Sequence, residues 1–261
     1  MKRYPYFTIF VLMLLLACVS APGLGAPPTS TPTSTNTSEP TFTALPTDTP
    51  TPISSATPNA AATAEARATQ SAGDVLDELD KLLGDSDIPY KNGRLAWGQT
   101  KPLTLNLSGP DRQASLVDAK LTASNFILKS DVTWSATGII FCGAIFRSEP
   151  DIGKGKQYQF LYLRLSGLPA WAIQVNEFGR FKNTITDTKF SDALDLGNGA
   201  TNSFVLVAQD EKFSVYINSV RQGRFFDNSN QRTEGLIAFQ AFQDSGKGSC
   251  EFKNSWVWIL E

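Results

Sequence analysis

From Ile88 to the C-terminus the side chains alternate between apolar and polar with a period of two. Leu103, Leu105 and Leu107 share one side of an LTLNL run, and FILKSDVTW, GIIFCGAIFR, QYQFLYLRL, AWAIQV, SFVLVAQ, KFSVYIN, GLIAFQAF and CEFKNSWVWIL continue the series. Turn clusters such as GNGATN and DSGKGS separate many of these runs. Alternation puts successive side chains on opposite faces of a strand, and many short strands with regular turns and little helix fold as a sandwich or barrel. The expected domain is therefore all-β, a two-sheet antiparallel sandwich over residues 88–261. In QYQFLYLRL, Leu161, Leu163 and Leu165 lie on one face and Phe160, Tyr162 and Arg164 on the other. We read the leucine side of such strands as the core side.

The N-terminus reads differently. Lys2 and Arg3 precede an apolar run from Phe7 to Ala17. That run is shorter than the ~20 residues a membrane-spanning helix needs, and it fits a secretory leader over 1–17. It ends in Leu15-Leu16-Ala17-Cys18, which resembles the bacterial lipoprotein box. The resemblance implies cleavage before Cys18, a lipid on its thiol, and a protein held on the extracellular face of a cell membrane. An ordinary leader cut after Ala21, with Cys18 discarded, is the alternative.

Residues 18–58 read as a stalk. Nine of the fifteen prolines lie between Pro22 and Pro58, interleaved with threonine and serine, and the only charges there are Glu39 and Asp48. Such a segment has too little apolar surface to offset chain entropy and is expected to stay disordered and extended. At ~3.1 Å per residue in polyproline-like stretches it reaches on the order of 100 Å. Residues 59–84 are expected to be helical, first by alanine propensity and then by an apolar stripe of Val75, Leu76, Leu79, Leu82 and Leu83, with Gly84 as the stop. The stripe has two possible partners: its own domain, or a second chain.

Composition removes several chemistries. With no histidine, Ser-His-Asp triads, Cys-His dyads and histidine-ligated metals are excluded. Lys plus Arg number 23 against 25 for Asp plus Glu, so the basic excess typical of nucleic-acid binders is absent. If Cys18 carries lipid, Cys142 and Cys250 remain as a pair in a disulfide-permissive compartment. A bridge would close a loop of about 108 residues, worth roughly 4–5 kcal/mol by chain entropy. Two buried free thiols are the other reading.

From Gly138 to Leu260 the chain resembles the concanavalin A-like lectin/glucanase superfamily, nearest to laminin G-like and 3-keto-disaccharide hydrolase (DUF1080-type) domains. The resemblance rests on Gly138 to Arg147 with its Phe146-Arg147 ending, Tyr158 to Leu165, Asn202, Phe213 to Asn218, Gly235 to Gln240, and Phe252-Lys253-Asn254. It implies a jelly-roll sandwich. Three positions depart from the pattern. Ser219 stands at the hairpin glycine, Lys253 replaces an aspartate, and Ala241-Phe242 follow Gln240 where enzyme-type members carry a histidine.

A glycosidase needs two carboxylates facing one another across a groove, and no E-x-D-x-x-E run occurs. Glu149, Asp151, Asp187, Asp192 and Asp195 read as loop charges, and Asp210 with Glu211 as a hairpin tip. Laminin G-like calcium sites use loop aspartates, so Asp151 or Asp187 is a possible ligand, but no spacing selects them. No cofactor or metal is expected. A sugar site needs aromatic faces and planar polar groups. The candidates facing away from the leucine side are Arg147, Tyr162, Arg164, Gln174, Tyr216 and Gln240, with Trp171 at the edge. Trp97 and Trp134 read as core. Trp256 and Trp258 face outward across a bulge, either exposed or covered by the 74–83 helix. The expected function is a lipid-anchored, non-catalytic domain that binds a glycan or another envelope component. The alternatives are a 3-keto-glycoside hydrolase or lyase, and a structural or protein-docking module.

Overall fold

The computed structural model describes residues 60–165, 167–228 and 232–261, with side chains from residue 68 onward except at 164 and 165. The leader, Cys18 and the stalk lie outside the described residues, as does the side chain of Arg164. Helix α1 (Ala60–Leu83) is followed by β1 (Arg94–Gly98), β2 (Leu103–Ser108), β3 (Asp111–Leu116), β4 (Thr122–Ala123) and β5 (Phe126–Ala136). Next come β6 (Ile140–Ser148), β7 (Gln157–Leu165), β8 (Leu168–Glu177), β9 (Arg180–Thr184) and β10 (Lys189–Phe190). The last are β11 (Thr201–Gln209), β12 (Lys212–Ile217), β13 (Val220–Phe226), β14 (Gly235–Gln243) and β15 (Lys247–Ile259). No helix among the described residues is long and apolar enough to cross a membrane.

The strands form two antiparallel sheets. One runs β1-β15-β5-β11-β12-β13, with β2 also on β15. The other runs β10-β8-β7-β6-β14-β3, with β9 on β8 and β4 on β14. We call them the seven-stranded and the eight-stranded sheet. The chain crosses repeatedly between them: β6, β7 and β8 form a meander in one, β11, β12 and β13 a meander in the other. The late strands β14 and β15 then insert beside the early ones.

Aromatic side chains fill the space between the sheets. Phe146 stacks on Tyr158 at 5.2 Å, Phe239 on Phe252 at 4.5 Å, and Trp134 meets Tyr162 edge-on at 5.8 Å. Packed sheets lie ~10 Å apart, a gap that large rings fill better than aliphatic side chains. Cys142 on β6 and Cys250 on β15 are joined by a disulfide with Cα atoms 5.9 Å apart, tying the two sheets across this core.

The helix packs on the outer face of the seven-stranded sheet. Val75, Leu79 and Leu83, with Ile88 and Tyr90 beyond it, cover Ile127, Val205, Val207, Tyr216, Trp256 and Trp258. The bulge in β15 between Lys253 and Trp256 makes this possible. With Asn254 at φ 51°, Phe252 and Val257 both point inward while Trp256 and Trp258 point out, under the helix. The indole N–H of Trp256 donates to Glu78 Oε2 at 3.0 Å, and that of Trp258 donates to the Tyr90 carbonyl at 2.9 Å. Lys129, only 7% exposed, lies beside Glu78 (3.3 Å) and Asp131 (3.2 Å). The Tyr90 hydroxyl donates to Asp80 Oδ1 at 2.5 Å, which together with burial pushes the phenol up to about 12. Beyond the helix, Arg224 holds both oxygens of Asp87 and lowers that carboxyl to about 2. The apolar stripe is thus satisfied within the chain, and the tryptophan pair is 4–5% exposed rather than an open patch.

Candidate functional site

The outer face of the eight-stranded sheet bears no covering helix among the described residues. Strand pairing lays its outward side chains in rows. One row runs Leu116, Ala238, Ile145, Gln159, Gln174, Thr184 from β3 to β9. The next runs Ala114, Gln240, Gly143, Leu161, Ala172, and the third Arg112, Phe242, Phe141, Leu163, Ala170, Phe190. None of these positions is an aspartate or glutamate.

The rows enclose a recess of about 230 Å³. Leu161 lines it, paired across the sheet with Gly143 of β6. A Cβ at position 143 would fall 2.0 Å from the Phe160 carbonyl oxygen, so only glycine lets β7 lie this close. One wall is aromatic: Phe141 and Phe242 meet edge-on at 5.2 Å, and Phe242 is 40% exposed. The opposite wall is a chain of amides. Gln174 Nε2 donates to Gln159 Oε1 at 3.1 Å and to Asn176 Oδ1 at 3.2 Å. At the end, Arg112 reaches toward Gln240 Oε1 at 3.5 Å, and Gln240 Nε2 toward the Ala144 carbonyl at 3.5 Å. Gln159 is 2% exposed, yet its Nε2 has no hydrogen-bond partner. A buried donor left unpaired costs about 1–3 kcal/mol; the Gln159 side chain borders the recess, with this nitrogen itself shielded from solvent.

Of the sequence candidates, the structure brings Gln174 and Gln240 to this recess. Arg112, Phe141, Gln159, Leu161, Asn176 and Phe242 complete it and were missed. Their readable signal was the amide alternation of Gln157-x-Gln159 and Gln174-x-Asn176 inside otherwise apolar strands. Four candidates are corrected. Tyr162 and Trp171 point into the core, each 1% exposed, because the inner face of β7 and β8 carries the aromatics while Leu161 and Leu163 lie outside. Burial holds the Tyr162 phenol well above its ordinary range. Tyr216 lies on the other sheet, beneath α1.

Arg147, the fourth, is a clip within the fold. It sits at φ 48° with its guanidinium 5.4 Å from the Phe213 ring. Its Nε and Nη2 donate to the Ser124 carbonyl at 3.0 and 2.7 Å, and Nη1 to the Asp210 carbonyl at 2.7 Å. Beside it, Tyr158 donates to Asp227, and burial with that bond raises its pKa. Asn202 and Asn218 also hold structure: Asn218 Nδ2 donates to the Ala193 carbonyl (2.6 Å) and to Asn202 Oδ1 (2.9 Å). Ser219 closes that hairpin at φ 66°, in the left-handed region a glycine would adopt more cheaply.

The loop carboxylates are tied locally. Asp151 Oδ1 accepts from the backbone N–H of Gly153 (2.9 Å) and Lys154 (3.0 Å), and Glu149 Oε1 meets Arg232 at 3.2 Å. Asp187 is exposed between β9 and β10. No group of three or more potential metal ligands occurs among the described residues.

No family model matches the chain, and no curated protein does. Solved structures of similar shape include the carbohydrate-binding module CBM66 from Bacillus subtilis, with 16% identity and TM-score 0.47 over 58% of this chain and 83% of that one. A Bacteroides ovatus GH16 protein of a mixed-linkage glucan locus, bound to a product, gives 10% identity and TM-score 0.45 over 64% and 84%. Sheep galectin-11 gives 10% and 0.38 over 58% and 98%. Two antiparallel sheets in this strand order, with late strands inserted beside early ones around one aromatic core, make the described domain a jelly-roll sandwich.

Proposed function

We propose that the outer face of the eight-stranded sheet binds carbohydrate without catalysing its cleavage, and that a stalk anchored through lipid on Cys18 displays it outside the cell membrane. The observation that carries the binding reading is the recess itself. An aromatic wall of Phe141 and Phe242 stands opposite the amides Gln159, Gln174 and Asn176, and the Gln159 N–H has no partner. Rings present flat apolar surface to the C–H face of a sugar, while amides offer both a donor and an acceptor to each hydroxyl. The outward rows hold no carboxylate, so the paired acids of glycoside hydrolysis have no place in the recess.

The test is Gln159→Leu, which removes the unpaired donor and keeps roughly the same bulk. Retention on an immobilised polysaccharide bound by the wild type should fall at least tenfold while the melting temperature stays level or rises. Equal retention by variant and wild type would refute the site.

A further inference from the structure

We propose that the sugar held in this recess carries a carboxylate, which pairs with Arg112. The inference rests on the carbohydrate-binding reading and adds a ligand class to it.

The recess holds one formal charge, and that charge is unanswered. The Arg112 head makes no ion pair among the described residues; its side-chain hydrogen bond among them is the 3.5 Å approach to Gln240 Oε1. The neighbouring Asp111 is turned to other work: Oδ1 accepts from the Arg112 backbone N–H at 2.7 Å and Oδ2 from Gln113 Nε2 at 3.1 Å. The arginine is exposed as a residue, but its head sits among Gln240, Phe141 and Phe242, and this partial desolvation lowers its pKa with no carboxylate to offset the effect. A guanidinium is a planar fork of N–H donors that matches a carboxylate through two parallel hydrogen bonds. The second unmet group, Gln159 Nε2, is a donor as well.

Several other cations of the described domain meet carboxylates. Arg224 meets Asp87, Arg232 meets Glu149, Lys182 meets Glu177, and the buried Lys129 meets both Glu78 and Asp131. Arg112 lies at the edge of a recess whose lining includes no acid. The unmet valences of the site are thus a cation and a donor, complementary to a ligand rich in acceptors and negatively charged. From β3, which carries Arg112, to β7, which carries Gln159, is three strand spacings, about 14 Å.

The experiment uses the full chain and a panel of glycuronans: polygalacturonate, alginate and hyaluronan, each beside its neutral counterpart made by reducing the carboxyl groups. Affinities are compared for wild type and Arg112→Gln at fixed low salt, with melting temperatures to confirm that both are folded. The expected result is that at least one glycuronan binds the wild type on the order of tenfold more tightly than its reduced form. In Arg112→Gln the ratio between the two forms should fall to about one. Equal wild-type binding of charged and reduced forms overturns the carboxylate inference and leaves the carbohydrate reading standing. A preference that persists undiminished in Arg112→Gln overturns the assignment to Arg112. Failure to bind any member of the panel, while neutral glycans outside it are bound, overturns the inference alone. Failure on charged and neutral glycans alike overturns the carbohydrate reading with it.

Discussion

Replacing Leu79 by alanine tests whether the helix is an integral part of the sandwich. Leu79 is fully buried in the cluster between α1 and the seven-stranded sheet, together with Val75, Leu83, Trp256 and Trp258. Removing a fully buried leucine to its Cβ costs about 2–5 kcal/mol, the spread reflecting how far the site collapses. Alanine is at least as good a helix former as leucine, so helix propensity offsets almost none of this. Taking about 3 kcal/mol, and 2–4 °C per kcal/mol for a domain of this size, the melting temperature should drop by roughly 6–12 °C. Trp256 and Trp258 report on the same event, because both indoles lie beneath the helix and bond to Glu78 and Tyr90. Loosening of the helix should shift their emission to longer wavelength. Asp74→Ala, on the exposed side of the helix, is the control and should change neither quantity. A Leu79→Ala protein that melts within 2 °C of wild type with unchanged emission would refute the packing argument, and the tryptophans would need another cover.

Two further outcomes follow from the packing and the hydrogen bonds. Replacing Cys142 and Cys250 by serine should lower unfolding stability by about 2–5 kcal/mol, as the chain-entropy value for a separation of 108 residues suggests; denaturant titration measures it, and a reductant should weaken only the wild type. For Tyr90 the folded phenol is raised from 10.0 to about 12, so folding favours the neutral form. The associated stability is present below pH 10 and is lost as the pH climbs toward about 12. Tyr90→Phe should therefore show a shallower alkaline loss of stability than wild type, and identical slopes in both proteins would contradict the Asp80 bond.

The strand pattern was readable because alternation is a local property: Leu103-x-Leu105-x-Leu107 or Gly235 to Phe242 declares a strand whatever it packs against. The helix over 60–83 and the β15 bulge that turns Trp256 and Trp258 outward were readable for the same reason. Which face of a strand points inward was not. In β7 the leucines suggested one side and the aromatics the other, and the choice is settled by the width of the gap between sheets, a tertiary quantity. Phe160 and Tyr162 fill that gap, so Leu161 and Leu163 came to lie outside, where neighbouring strands shield them to 7–8% exposure. Reading the wrong side moved Tyr162 into the proposed site, and Trp171 was set at its edge because it follows the Gly167-Leu168-Pro169 turn; Gln174 and Gln240 came from strands read the right way round. Arg147 was misplaced for another reason. Its bulge at positive φ and the carbonyls of Ser124 and Asp210 come from distant segments that no local pattern joins. Arg112 lies on the edge strand β3, whose DRQASL sequence has too few apolar residues to show its alternation.

The central claim is that the recess between the Phe141–Phe242 wall and the Gln159–Gln174 amides binds carbohydrate. A glycan array probed with the full chain, once with calcium and once with chelator, tests it most directly. The account predicts saturable binding to a defined group of glycans, unchanged by chelator because the recess contains no carboxylate to hold a cation. Silence across the array under both conditions would contradict it.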